Sequence, residues 1–185
     1  VFYFSGDGVM LKELAMVALL SVAPESDANY DRQAMYGRWA DEDGNCRNTR
    51  HEVLAAESLV PVEGECKVLS GLWYDPFTTQ TFNDPEDVDI DHLVPLKEAH
   101  ESGAWKWHRY RQRAYANDLD NPGHLIAVDD ETNQRKSARD PAEWLPPNAA
   151  YHCAYVATWV QIKYKWHLSI DPAEKDAIVR VLEGC

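Results

Sequence analysis

The residues with the clearest chemical potential lie in DVDIDHLVPL, Asp87 to Leu96, and in the later segment DETNQRKSARDP. Asp91 offers a hard carboxylate oxygen and Asn133 a hard amide oxygen. With water and phosphate oxygens beside them, such a pair suits Mg²⁺ or Mn²⁺ better than a soft metal. His92, with an ordinary pKa of about 6.5, can be neutral at working pH and take a proton from water. A metal that clamps a phosphate oxygen and the leaving 3′-oxygen, beside a base that activates water, makes a phosphodiesterase. Positive charge is needed at the developing oxyanion, and Lys136 and Arg113 are the candidates for that contact. Asp89 tunes the site or sits in solvent, with direct ligation as the lesser alternative. Taken singly these residues are ordinary: Asp91 a turn cap, His92 a core histidine, Asn133 an exposed helix residue. Their combination carries the reading.

Elements of known pattern must position them. Val88 and Ile90 alternate with three aspartates, the period of a half-buried strand, although aspartate is depleted in strands and neighbouring carboxylates repel. In a regular strand Asp91 and His92 point to opposite faces, so the strand must bend or end at this pair. HLIAV reads as a second strand, and DDETNQRKSARD as a helix with acids at its start and bases at its end. Strand, strand and helix bring Asp91, His92 and Asn133 from distant positions toward one point.

Elsewhere periodicity predicts helices over Val9–Val22 and Tyr30–Trp39, and NTRHEVLAAES predicts a helix capped by Asn48 or Thr49. LVPV, CKVLSGLWY and TTQTF predict short strands, and PLKEAHESG, AWKWHRYRQRAYAND and the tail predict helices. The expectation is one α+β domain over 1–185: a central unit near 87–140, N-terminal helices within 9–58 and C-terminal helices within 148–183.

The chain has 185 residues and a formal charge of −13, which opposes a polyanionic partner. From Lys97 to Arg139, however, eight Lys/Arg face seven Asp/Glu, a net of +1, so the remainder carries −14. A locally basic face on an acidic body remains open. No run is long enough for a membrane span. The segment VMLKELAMVALLSVAPES lacks the positive start and unbroken apolar stretch of a signal peptide, and reads as an amphipathic helix. Four widely spaced cysteines without C-x-x-C suit two disulfides in an exported protein. Of three pairings, the sequence-local one is favoured, Cys46–Cys66 and Cys153–Cys185. DEDGNC departs from calcium-loop spacing. His100, His108, His152 and His167 read as structural or surface residues. The tryptophans read as core, with Trp105 or Trp107 as the exception to test for base stacking.

The stretches VDIDHLVPLKEAHESGAWKW, RAYANDLDNPGHLIAVDDETNQRKSARDPAEWLPPN and YHCAYVATWVQIKYKWHL resemble the secreted HNH nucleases of fungi and filamentous actinobacteria. These are related to the nuclease domain of GmrSD-type restriction enzymes, and DEDGNCRNTRHEVL is similar to the family's upstream part. The resemblance spans roughly Tyr30 to the C-terminus and implies a ββα-metal (His-Me finger) core. In that motif the histidine closing the first strand is the general base, which maps to His92. The residue before it and the last Asn hold one metal, which maps to Asp91 and Asn133. A middle Asn braces the loop and orients the base. The sequence departs from the pattern there, with NPGHL in place of N-L: Asn121 is placed narrowly ahead of Asn117, and His124 is the third alternative. His124 as an additional ligand would weaken the preference for Mg²⁺ or Mn²⁺ over Zn²⁺ or Ca²⁺.

The function so implied is a secreted, monomeric, metal-dependent endonuclease acting on DNA, with RNA as the alternative substrate. Without a helix-turn-helix or zinc finger, cutting is expected to be largely nonspecific. The rivals are an exported acidic glycoside hydrolase working through paired carboxylates and a non-catalytic secreted module stabilised by calcium.

Overall fold

A catalytic side chain can be aimed only by elements that are themselves fixed, and here an antiparallel strand pair supplies the first constraint. The computed structural model describes residues 6–185. Its helices are α1 (Gly6–Leu19), α2 (Arg32–Met35), α3 (Thr49–Glu57), α4 (Leu96–Glu101), α5 (Arg109–Ala116), α6 (Asp130–Lys136), α7 (His152–Trp166) and α8 (Pro172–Glu183). Its strands are β1 (Trp73–Tyr74), β2 (Thr81–Phe82), β3 (Val88–His92) and β4 (Leu125–Asp129). They form two two-stranded sheets, β1 with β2 and β3 with β4. The arrangement is α+β, as the sequence pattern predicts.

β3 and β4 pair antiparallel, with Asp89 opposite Val128, Asp91 opposite Ile126 and His92 opposite Leu125. Residues opposite each other share a face. Val88, Ile90, Leu125 and Ala127 therefore enter one small core with Leu54 and Trp73. Ile126 and Val128 enter the larger helical core with Tyr115, Tyr155 and Trp159. Asp89 and Asp91 stand on that second face, where α6 runs directly from the end of β4. An aspartate-bearing strand survives here because the helix above it supplies the partners its carboxylates need. β3 ends at His92, as the pairing of Asp91 with His92 requires, and the Leu93 amide makes the last bond to the His124 carbonyl.

Several elements are shorter than their patterns suggest. The helix expected over Tyr30–Trp39 is confined to Arg32–Met35. Asp31 caps its start by accepting the Ala34 amide, and Gly37 ends the turn with φ +74°, a conformation that favours glycine. The strands expected between Leu59 and Tyr74 reduce to β1 and an isolated bridge between Glu63 and Ser70. Gly64, at φ +94°, explains part of this: a Cβ there would lie 1.9 Å from the Lys67 carbonyl oxygen. The aromatic segment after Gly103 splits into a 3-10 turn, Ala104–Lys106, and α5. The DEDGNC turn is closed by its own side chain, the Asp41 carboxylate accepting the amides of Gly44 and Cys46.

The remaining helices lock onto one another through a buried polar knot. Lys163 on α7 is fully buried and lies 2.6 Å from both Glu98 of α4 and Glu174 of α8. Its ammonium also bonds Ser102 Oγ and the Ser169 carbonyl, and Trp159 Nε1 donates to Glu174. One ammonium is thus shared by two carboxylates and each group is hydrogen-bonded, which lowers the cost of burial, while burial and Glu98 push Glu174 up to about 7. Asp171 and Glu174 form a capping box at the start of α8, with Pro172 in its first turn. Both expected disulfides are present. Cys46–Cys66 ties the acidic turn to the loop before β1, and Cys153–Cys185 ties the start of α7 to the chain end. Among the described residues no helix is long and apolar enough to cross a membrane.

Candidate active site

Because β3 ends at His92, residues of both strand faces meet at its tip. A cavity of about 330 Å³ opens there, bordered by Asp91, His92 and Asn133, with Arg32, Leu96 and Ser137 on its rim. A second cavity of about 410 Å³ lies on the other flank of His92, toward Trp39, Arg38 and Ala116. His92 forms part of the wall of both.

The orientation of His92 is fixed from three sides. Its Nε2 lies 2.9 Å from the Ala116 carbonyl. A carbonyl can only accept, so Nε2 carries the proton and Nδ1 keeps the lone pair. Trp39 stacks on the ring at 5.1 Å between centroids and an interplanar angle of 4°. Burial pushes the His92 pKa well below the usual histidine range, and His124 and Arg32 add to this, while the Ala116 bond opposes it. The ring is therefore a neutral base with one defined basic nitrogen.

The carbonyl that orients His92 is itself braced. Ala116 ends α5, and the next residue, Asn117, is buried and hydrogen-bonded through both side-chain polar atoms. Asn117 Oδ1 accepts the Ala40 amide and the Thr49 hydroxyl, each at 2.8 Å, while Nδ2 donates to the Arg113 carbonyl. These bonds pin the end of α5 to the loop carrying Trp39 and to the start of α3. Asn121, placed first by sequence, makes no such brace: its Nδ2 is buried without a partner and it borders a cavity near Glu57. His124, the third alternative, is buried edge-on to His92 at 6.0 Å between centroids and donates Nε2–H to the Tyr115 carbonyl. It borders neither cavity at His92, so the structure does not bring it to Asp91 and Asn133.

Asp91 is 4 % exposed, and Lys136 Nζ lies 2.8 Å from each of its carboxylate oxygens. Burial pushes the Asp91 pKa up and that of Lys136 down, and each partner opposes the shift of the other. Lys136 spends its remaining bond on the His92 carbonyl at 3.0 Å. The expectation that Lys136 touches the scissile phosphate is therefore corrected. It is 0 % exposed, with its charge matched by Asp91. Arg113 is exposed on α5, but in a separate cleft beside Asp118 and Lys165 that includes neither His92 nor Asp91. The structure does not bring it to the other candidates.

Asn133 is half-buried on α6, and its Nδ2 donates to Asp89 Oδ2 at 3.1 Å. A carboxylate requires a donor, which fixes the amide orientation and leaves Oδ1 as the free atom. Asp89 thus acts by turning Asn133. Asp91 and Asn133 border one cavity and offer only oxygen donors, so these two residues could hold a hard divalent cation, with the Asp91 carboxylate shared with Lys136. Arg32, Trp39 and Ala116 are the contributors that sequence reasoning missed. Arg32 and Trp39 lie outside the central unit, and no local motif marks them; Ala116 lies within it, but its carbonyl is a main-chain group and leaves no signature at all.

Two consequences can be measured. Lys136→Ala leaves Asp91 buried without a partner, and we expect a loss of about 3–5 kcal/mol in urea unfolding. An Asp91→Leu/Lys136→Met double variant should recover most of it. A Lys136→Ala variant as stable as wild type would contradict the pairing. Burial also holds His124 down at about 4, from an ordinary 6.5. A base depressed in the folded state binds its proton later than in the unfolded chain. Its contribution to stability is full above about 6.5 and is lost as pH falls toward about 4. The stability gap between wild type and His124→Asn should narrow over that window; a constant or widening gap contradicts the assignment.

Residues 57–181 match the family model described as GmrSD restriction endonucleases, C-terminal domain. The chain is 38% identical over 172 residues to a protein of Arthroderma benhamiae named "Uncharacterized secreted protein", covering 92% of this chain and 83% of that one. No solved structure matches. The matched span holds β3, β4, α6 and every candidate residue from Asp89 to Lys136, and the chain belongs to the family of GmrSD restriction endonuclease C-terminal domains.

Proposed function

We propose that the chain is an exported, metal-dependent, largely nonspecific endonuclease that hydrolyses phosphodiester bonds, with DNA as the first substrate to test and RNA the second. One observation carries this reading: Asp91, His92 and Asn133 border a single cavity, with His92 Nδ1 left basic by the Ala116 bond. The β3–β4–α6 unit is read as a ββα-metal core, with the base at the end of the first strand and the last ligand on the helix. The family match supports nuclease chemistry. The two disulfides and a relative named as secreted support export.

In this mechanism a water molecule in the cavity loses a proton to His92 Nδ1. Its oxygen attacks phosphorus, and the bond from phosphorus to the 3′-oxygen breaks. The 3′-oxygen leaves and takes up a proton from solvent, so the products are a 5′-phosphate and a 3′-hydroxyl. Asp91 and Asn133 would hold a divalent ion, which when bound supplies charge neutralisation at the phosphate and at the leaving oxygen. Trp39 and the Ala116 carbonyl keep the imidazole in one tautomer and plane, and Asn117 holds that carbonyl in place. Lys136 opposes the effect of burial on Asp91 and so favours its ionised form.

The test is digestion of supercoiled plasmid and of single-stranded DNA by purified protein. We expect cleavage that stops with EDTA and returns with Mg²⁺ or Mn²⁺. Asn133→Ala should need roughly 10-fold more metal, or higher still, for half-maximal rate. Cleavage that persists in EDTA, or an Asn133→Ala variant with an unchanged metal requirement, contradicts the reading.

A further inference from the structure

Resting on the nuclease reading above, we propose that Arg32 is the side chain that binds the substrate phosphate beside His92, and that the two cavities it borders receive the nucleosides on either side of that phosphate. A phosphodiester approaching a protein of net charge −13 needs a local cation. Lys136 cannot supply it, because its ammonium is fully buried and matched by Asp91. Arg113 cannot, because it opens into another cleft, and Lys97 borders only the cavity at Asp91 and is paired with Glu101. Arg32, His92 and Leu96 are the residues common to both cavities flanking the base. A group bound where the cavities meet therefore lies against the imidazole and the guanidinium together.

Arg32 is also available. It is exposed, and among the described residues no carboxylate forms an ion pair with it. The neighbouring Asp31 turns its Oδ1 to the Ala34 amide and forms no ion pair with Arg32. The Arg32 backbone is fixed even though its side chain is free. Its carbonyl accepts the amide of Tyr36, which is 1 % exposed, and Asn117 holds the Ala40 amide at the far end of the same loop. A planar guanidinium on an anchored backbone suits two-point contact with phosphate. At about 330 and 410 Å³, the cavities fall in the range of small-ligand sites. Arg38, exposed on the wall of the larger one, extends the cationic edge away from the base.

The experiment measures binding and cleavage separately. A fluorescein-labelled single-stranded oligonucleotide is titrated by anisotropy in EDTA over a range of salt, with wild type, Arg32→Ala, Arg32→Lys and His92→Ala. The same proteins are then assayed for plasmid cleavage with Mg²⁺. We expect Arg32→Ala to lose roughly 10- to 100-fold in affinity and in kcat/KM. Its salt slope should fall by about 0.7, the value of one phosphate on a single strand. Arg32→Lys should recover part of the loss, and the urea midpoint should be unchanged. Arg32→Ala binding with wild-type affinity and salt slope overturns the proposal, whatever the cleavage result. Oligonucleotide binding that depends on Arg32 without any plasmid cleavage supports the phosphate site and overturns the nuclease reading instead. Absence of binding by wild type overturns both.

Discussion

The site depends first on a buried ion pair. Asp91 stands on the strand face that packs into the helical core, where an unpaired carboxylate would be untenable. Lys136, arriving from α6 with both carboxylate oxygens at 2.8 Å, makes that position possible and fastens helix to strand. The same ammonium reaches the His92 carbonyl, so one side chain holds both the Asp91 carboxylate and the His92 backbone. Removing water from this pair is costly, and an apolar pair could make as stable a core. What an apolar pair would not offer is an oxygen at the wall of the cavity that Asp91 borders.

From that anchor the other constraints follow outward. β3 stops at His92, so a residue from each strand face borders one cavity. The imidazole is then set by groups on other elements: the α5 carbonyl, the Trp39 ring and, behind them, the Asn117 bonds that tie α5 to α3 and its preceding loop. Asp89 plays the matching part for α6 by taking the Asn133 amide protons and turning its oxygen free. Positions on rigid elements, each supported by a second layer of hydrogen bonds, are what a proton-transfer site requires.

Much of this was legible in the sequence. Alternation exposed β3, dipole-matched charges exposed α6, and cysteine spacing exposed both disulfide pairs. The juxtaposition of Asp91, His92 and Asn133 followed from strand, strand and helix in order. What failed has physical causes. Lys136 looked like a free helix cation because sequence does not tell which face of a seven-residue helix is buried. Asn117 and Asn121 differ only in which side of a turn they occupy, and the decisive partners, Ala40 and Thr49, are remote in sequence. Arg32 sits on a four-residue helix whose apparent periodicity ran past Gly37, and nothing near it in the chain marks its approach to His92. The short strands before β1 were lost to glycine and proline, whose backbone needs override β propensity.

The central claim is that His92 acts as the base through a nitrogen freed by the Ala116 carbonyl. It is tested most directly by comparing wild type and His92→Ala in initial rates of plasmid cleavage under the same metal, with metal affinity measured by calorimetry on both. The account predicts a loss of roughly 100-fold or more in rate, with metal binding retained through Asp91 and Asn133. A His92→Ala protein that cuts as fast as wild type with the same metal requirement would contradict it.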